Sequence, residues 1–237
     1  MEPEFTIDRI DVDGDVRETA QEAMDVLEGG GDTRLAFLKK AGLAGGAVMG
    51  GGALLTALTP AAAMAKGTGR PPAKFGKGDI GVLNYALTLE YLEAAFYNEA
   101  TKRKVASGAE EAAFLKRVTA DENAHVAFLK KALGSKAVKA PKVDFGAATS
   151  KGKWLATSMV LENTGVQAYS GQVLNISKPA YVAAAASILT VEARHASVAG
   201  LLVKPTVKNI SPVGGAFDEA ATAAQILKAV AGTGFLV

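Results

Sequence analysis

The chain has 237 residues, 49% of them hydrophobic, with 26 Lys/Arg against 24 Asp/Glu and a formal net charge of +2. No cysteine is present, which excludes disulfides, iron–sulfur clusters, a rubredoxin-type iron site and thiol nucleophiles, and is compatible with an oxidising exterior. Neither a Walker loop nor a dinucleotide fingerprint occurs, so nothing in the sequence points to nucleotide chemistry.

Residues 1–32 carry 11 acidic and 2 basic residues and read as a mostly solvated leader, with a short amphipathic helix expected from Arg17 to Leu27. Residues 33–65 read differently. From Ala41 to Ala65 there is no charge, Lys39-Lys40 and Lys66 flank the stretch, and it ends in Ala63-Met64-Ala65. That is an apolar region followed by a small-residue cleavage site at Ala63 and Ala65. The preceding Thr33–Lys39 segment resembles a twin-arginine export signal through Arg34, Phe37, Leu38 and Lys39, with Leu35 in place of the second arginine. The expected location is therefore periplasmic, envelope-bound or extracellular, with the export machinery as a partner. A retained membrane helix is the competing reading, since 25 uncharged residues can span a bilayer, but six glycines make that stretch a poor anchor. Without the leader, residues 66–237 hold 21 Lys/Arg and 13 Asp/Glu. This excess of base is dispersed and joined by no nucleic-acid motif, so no specific nucleic-acid partner is expected.

After a linker at 66–78, four amphipathic segments follow within 79–203. The first helix is expected from Asp79, as its cap, to about Thr101. Ser107 and Glu110 read as a capping box for a second that reaches about Leu133. A third is expected from about Lys151 to Leu174, and a fourth from about Ser177 to Val203. Their apolar stripes are Leu83, Leu87, Glu90, Ala94 and Tyr97; Leu115, Val118, Glu122, His125 and Leu129; Leu155, Met159, Glu162, Val166 and Tyr169; and Ile188, Glu192, His195, Ala199 and Leu202. Short connections make helices one and two a hairpin, and three and four another. A second helix of about 26 residues is about 39 Å long, whereas the 17 residues of the Gly/Pro/Lys-rich 134–150 segment can reach up to about 56 Å. That segment is long enough to cross the bundle. Residues 204–237 form an extension with a short helix from about Asp218 to Val230. The predicted class is all-α: a four-helix bundle of two antiparallel hairpins with a long crossover, plus a short C-terminal helix.

Each stripe is interrupted by carboxylates. Both histidines of the chain lie in Glu-x-x-His pairs, Glu122/His125 and Glu192/His195, and at that spacing both side chains share a helix face. Glu90 and Glu162 stand upstream, each with a tyrosine seven residues on, Tyr97 and Tyr169. The helix-turn-helix unit repeats with an offset of 72 residues between the upstream glutamates and 70 between the pairs. Four unpaired carboxylates in a core would cost several kcal/mol apiece. Two divalent cations balance four carboxylates, and two neutral imidazoles add ligands without charge, so Glu90, Glu122, His125, Glu162, Glu192 and His195 are the expected shell of a dinuclear site. Glu93 is the rival to Glu90, which the repeat favours. Tyr97 and Tyr169 fit equally as partners of the ligands or as core packing. Asp121 and Arg194 point to other faces, where solvent exposure is the default.

On these residues the chain resembles the ferritin-like superfamily, most closely its exported bacterial branch, over roughly residues 79–203. The resemblance implies a ferritin-like bundle with two iron or manganese ions, bridged by Glu122 and Glu192 with the other four ligands terminal. It also implies oxidation of iron or removal of oxygen or peroxide, with a small-molecule oxidant or metal ion as reactant. Hard carboxylate and imidazole ligands suit both metals. The alternative is a non-catalytic stress or desiccation-related envelope protein that uses the bundle for structure or metal sequestration. Mineral storage would need a closed cage, and a homodimer through a long helical face is the default assembly.

Overall fold

The computed structural model describes residues 69–204 and 218–237. The acidic leader, the export signal with Arg34, Phe37, Leu38, Lys39, Ala63 and Ala65, and residues 205–217 lie outside the described residues. Helices account for most of what is described: α1 (Gly78–Lys102), α2 (Ala109–Leu133), α3 (Trp154–Gln172), α4 (Pro179–Val203) and α5 (Ala223–Gly232). Short 3-10 turns at Ala73–Phe75, Gly134–Lys136 and Val173–Asn175 punctuate them. The fold is an all-helical bundle, with α1 against α2 and α3 against α4 as its two hairpins.

The order of the bundle follows from where apolar side chains recur. Leu83, Leu87, Tyr97, Leu115, Val118, Leu129, Ile188 and Ala199 are all buried at the expected stripe positions. In α3 the stripe is rotated at its start: Leu155 and Met159 are half-buried, while Trp154, Ser158 and Leu161 are buried. The cause is Trp154, whose indole enters the core beside Phe114 with ring centroids 6.2 Å apart and turns the first half of the helix with it. Burying so large a ring outweighs the two smaller aliphatic faces.

Two expected caps are made differently. Asp79 does not cap α1, which begins at Gly78 behind Lys77. Its carboxylate instead accepts from the backbone N–H groups of Ser177 at 2.8 Å and Lys178 at 2.9 Å, so that a residue of α1 secures the entry to α4. The Ser107–Glu110 box does not form. Gly108 is the cap residue of α2, and Glu111 reaches back to the Ser107 N–H at 2.8 Å, one residue later than the pattern suggests.

Gly134, with φ of 56°, ends α2, and the crossover that follows is pinned along α1. Asn84 near the start of α1 donates to the Lys136 carbonyl and accepts from the Val138 N–H, both at 3.0 Å. Arg103, just beyond the other end of α1, donates to the Gly146 carbonyl at 3.0 Å. The crossover thus travels the length of α1 and delivers α3 antiparallel to it. Phe145 anchors its far end in the core, edge-on to Phe96 and Phe235.

The C-terminal helix, α5, starts at Ala223 and not near Asp218, because Thr222 and Gln225 form a reciprocal capping box ahead of it. Its approach to α3 depends on Gly171. A Cβ there would lie 1.9 Å from the Ala221 carbonyl oxygen, too close for any side chain. The Ala221 N–H donates to the Gln167 carbonyl at 3.1 Å, and an isolated bridge between Val143 and Leu236 ties the chain end to the crossover.

Candidate metal centre

The hairpin repeat brings six side chains from four helices to one buried point. Glu90 on α1, Glu122 and His125 on α2 and Glu192 on α4 have ligand atoms within 4.8 Å of one another. So do Glu122, Glu162 on α3, Glu192 and His195 on α4. Glu122 and Glu192 belong to both groups. The four glutamates are fully buried at 0% exposure, and the histidines nearly so.

The ring geometry shows how each half is assembled. Nδ1 of His125 lies 3.0 Å from Glu122 Oε2 and 3.3 Å from both Glu90 Oε2 and Glu192 Oε1. Nδ1 of His195 lies 3.1 Å from Glu122 Oε1 and 3.2 Å from Glu162 Oε2. Both imidazoles therefore aim the same ring atom at the carboxylates.

Both tyrosines cross the bundle to the opposite copy. The Tyr169 hydroxyl donates to Glu90 Oε1 at 2.5 Å, and the Tyr97 hydroxyl donates to Glu162 Oε1 while also contacting Ser158. Each terminal glutamate thus has one oxygen held by a phenol and the other facing a histidine. Burial, then the adjacent carboxylate charge, pushes both phenols well above the ordinary tyrosine range, so they stay neutral donors.

Asp121 departs from its expected exposure. Its carboxylate receives Nε2 of His195 at 3.1 Å and Nε of Arg117 at 2.7 Å, with its side chain only 15% exposed. Partial burial opposes its charge, but hydrogen bonds from Arg117 and His195 outweigh that effect and lower its pKa. Residue 121 precedes Glu122 in sequence, and the α2–α4 crossing, not the helix period of α2 alone, brings it to His195. Arg194 is exposed as expected. Glu93 is buried as deeply as a core residue, yet stands outside both four-residue groups. Burial, reinforced by the charges of Glu192, Glu162, Glu122 and Glu90, pushes its carboxyl well above the usual range.

The remaining electrostatics are those of concentrated negative charge. Burial raises Glu90 to about 7, Glu122 adds to the rise and the His125 contact opposes it. Glu192 moves well up for the same first reason, then through Glu122 and Glu162. Burial alone would lower His195, but its contacts with Glu122 and Glu162 carry it up to about 10. The same balance, with Glu122, Glu192 and Glu90 as partners, raises His125 further.

These residues fit a pair of metal ions. Glu90 Oε2, Glu122 Oε1 and both oxygens of Glu192 are buried and make no hydrogen bond, an arrangement expensive for carboxylates that have no cation to face. Gly165 leaves the needed room, since a Cβ there would sit 3.0 Å from Glu192 Oε2. The donor set of four carboxylates and two imidazoles suits divalent iron or manganese.

No curated protein matches the chain. A family model described as a ferritin-like domain matches residues 78–205, more than half of the chain and the whole of α1 to α4. The chain belongs to this ferritin-like domain family.

Proposed function

We propose that the chain is an exported ferritin-like protein that holds two iron or manganese ions and uses them to oxidise Fe(II) with oxygen or to break down peroxide. The observation that carries this reading is the pair of buried four-residue groups sharing Glu122 and Glu192, with carboxylate oxygens that make no hydrogen bond and face only the two imidazoles and one another. Export rests on the leader, and the basic balance of residues 66–237 gives no reason to add a nucleic-acid role.

When bound, two redox-active ions supply or accept electrons in pairs, as reduction of oxygen or dismutation of peroxide requires. The chain supplies the frame. Glu122 and Glu192, which belong to both groups, would hold both ions, Glu90 with His125 would hold one and Glu162 with His195 the other. Tyr97 and Tyr169 each fix one oxygen of a terminal glutamate, so the second oxygen stays turned to the centre. Asp121 orients His195 by accepting from its outer nitrogen, as the partners of metal-binding histidines commonly do. The apolar side chains above and below exclude bulk water and protect the ligand geometry.

The test is metal content by mass spectrometry on the purified chain, followed by oxygen uptake on adding Fe(II) and peroxide decay after manganese loading. The expected result is about two metals per chain and turnover in one of the two assays, both lost in Glu122→Ala. Two bound metals with no turnover in either assay would overturn the catalytic reading in favour of sequestration. A folded chain that takes up no iron or manganese would overturn the metal reading itself.

A further inference from the structure

The two halves of the centre carry the same ligands but different surroundings. With the repeat offset of 70 residues for α2 and α4, Asp121 corresponds to Val191 and Arg117 to Ser187. His195 therefore has a carboxylate at 3.1 Å from its outer nitrogen, itself held by an arginine. On the other side the recess beside His125 is lined by Val191 and Ser187. With the offset of 72 for α1 and α3, Ser158 corresponds to Ala86. Tyr97, which holds Glu162, contacts the Ser158 hydroxyl, and Tyr169, which holds Glu90, has an alanine at the matching position. Both polar additions fall on the Glu162–His195 half. The repeat breaks a third time where Glu93 corresponds to Gly165.

Packing differs in the same sense. A cavity of about 20 Å³, room for one water-sized molecule, is lined by Ala86, Leu129, Tyr169 and Ile188. Ala86, Leu129 and Ile188 lie one helical turn from Glu90, His125 and Glu192, and Tyr169 bonds Glu90 directly. These four residues are 7%, 1%, 7% and 6% exposed, whereas their counterparts Ser158, Ala199, Tyr97 and Val118 are all at 0%. Both histidines border open surface recesses, His195 together with Asp121 and Arg117 and His125 together with Val191 and Ser187, so the halves differ in that one is braced by polar partners and the other borders a small apolar space in the core.

From this asymmetry, and resting on the dinuclear reading above, we propose that the two metal positions are unequal. The Glu162–His195 position fills first and keeps its ion, and the Glu90–His125 position is the weaker, exchangeable one that small reactants meet. An oriented histidine is a better ligand because its ring need not be ordered on binding, and a hydrogen-bonded carboxylate partner raises its basicity. Loss of such partners costs about 10–100-fold in metal affinity.

The test titrates the full chain, stripped of metal, with Co(II) under anaerobic conditions, following heat and the visible absorption of the ion. The expected result is two resolved steps at least about tenfold apart. His125→Ala should lose the weak step and keep the tight one, and His195→Ala the reverse. Asp121→Asn combined with Ser158→Ala should bring the steps to within about threefold and shift the absorption of the first ion alone, a change that general loosening of the fold would not confine to one ion. Val191→Asp offers an independent check by tightening the weak step. Two indistinguishable steps in the unaltered chain, or loss of the tight step in His125→Ala, would overturn the inequality and leave the dinuclear site standing. No uptake of Co(II) by the folded chain would overturn both.

Discussion

The hydroxyl of Tyr169 on α3 donates to Glu90 on α1 at 2.5 Å, and Tyr97 on α1 returns the contact to Glu162 on α3. This exchange fixes α1 and α3 antiparallel and in register, and it does so at the ligands themselves. A buried hydrogen bond to a charged group is worth about 1.5–3 kcal/mol, and a partner of a metal ligand about 10–100-fold in affinity. Tyr97→Phe and Tyr169→Phe should each show both losses, read by denaturant unfolding and by competition with a chelator. A tyrosine that only packed would lose neither, because phenylalanine fills nearly the same volume.

Most of this centre is legible in the sequence because a helix converts spacing into direction. Glu122 and His125 share a face by their separation alone, and the repeat then selects Glu90 and Glu162 from among the other carboxylates. Contacts that depend on how two helices cross carry no such signal. Asp121 reaches His195 across 74 residues, and Asp79 ties down the entry to α4 across 98, so local rules assign one to solvent and the other to its own helix. The Trp154 rotation of α3 is a third case, in which one large ring overrides the period of its neighbours. The capping box at Thr222 and Gln225 is legible as Thr-Ala-Ala-Gln, a spacing that puts the start of α5 after Asp218.

Glu93 and Glu90 are both buried on α1, but only Glu90 belongs to a four-residue group. Glu90→Gln removes a ligand and should lower the stoichiometry from about two metals to about one. Glu93→Gln replaces a carboxyl whose burial and neighbours disfavour its charge and should leave the stoichiometry unchanged. Metal analysis of the two variants side by side separates them, and the opposite pattern would transfer the ligand role to Glu93.

Gly165 faces the shared carboxylate of Glu192, with Oε2 only 3.0 Å from where a Cβ would stand. Gly165→Val forces that flexible side chain aside instead of parting the helices. Misplacement of a reacting group by about 1 Å costs about 100-fold in rate, so turnover should fall by that order while the helical content seen by circular dichroism stays the same. Gly152→Ala, where an added Cβ meets nothing within 4 Å, is the control and should be silent.

Removing the metal should reveal how the bundle tolerates four buried glutamates. With no cation present, protonation takes over: His195, held up to about 10 by Glu122 and Glu162, is charged at neutral pH and offsets part of the carboxylate excess. The metal-free chain should therefore fold, without the linkage that a bound ion adds. At a free metal concentration 100 times Kd that linkage is about 2.7 kcal/mol for one site, which for a domain of this size raises Tm by about 5–10 °C. Calorimetry of the stripped chain before and after adding Mn(II) should show that rise, and a chelator should reverse it. In a chain carrying both His125→Ala and His195→Ala the rise should vanish, since each position then keeps only carboxylates. An equal rise in that variant would place the stabilising ion elsewhere on the surface and not between α1, α2, α3 and α4.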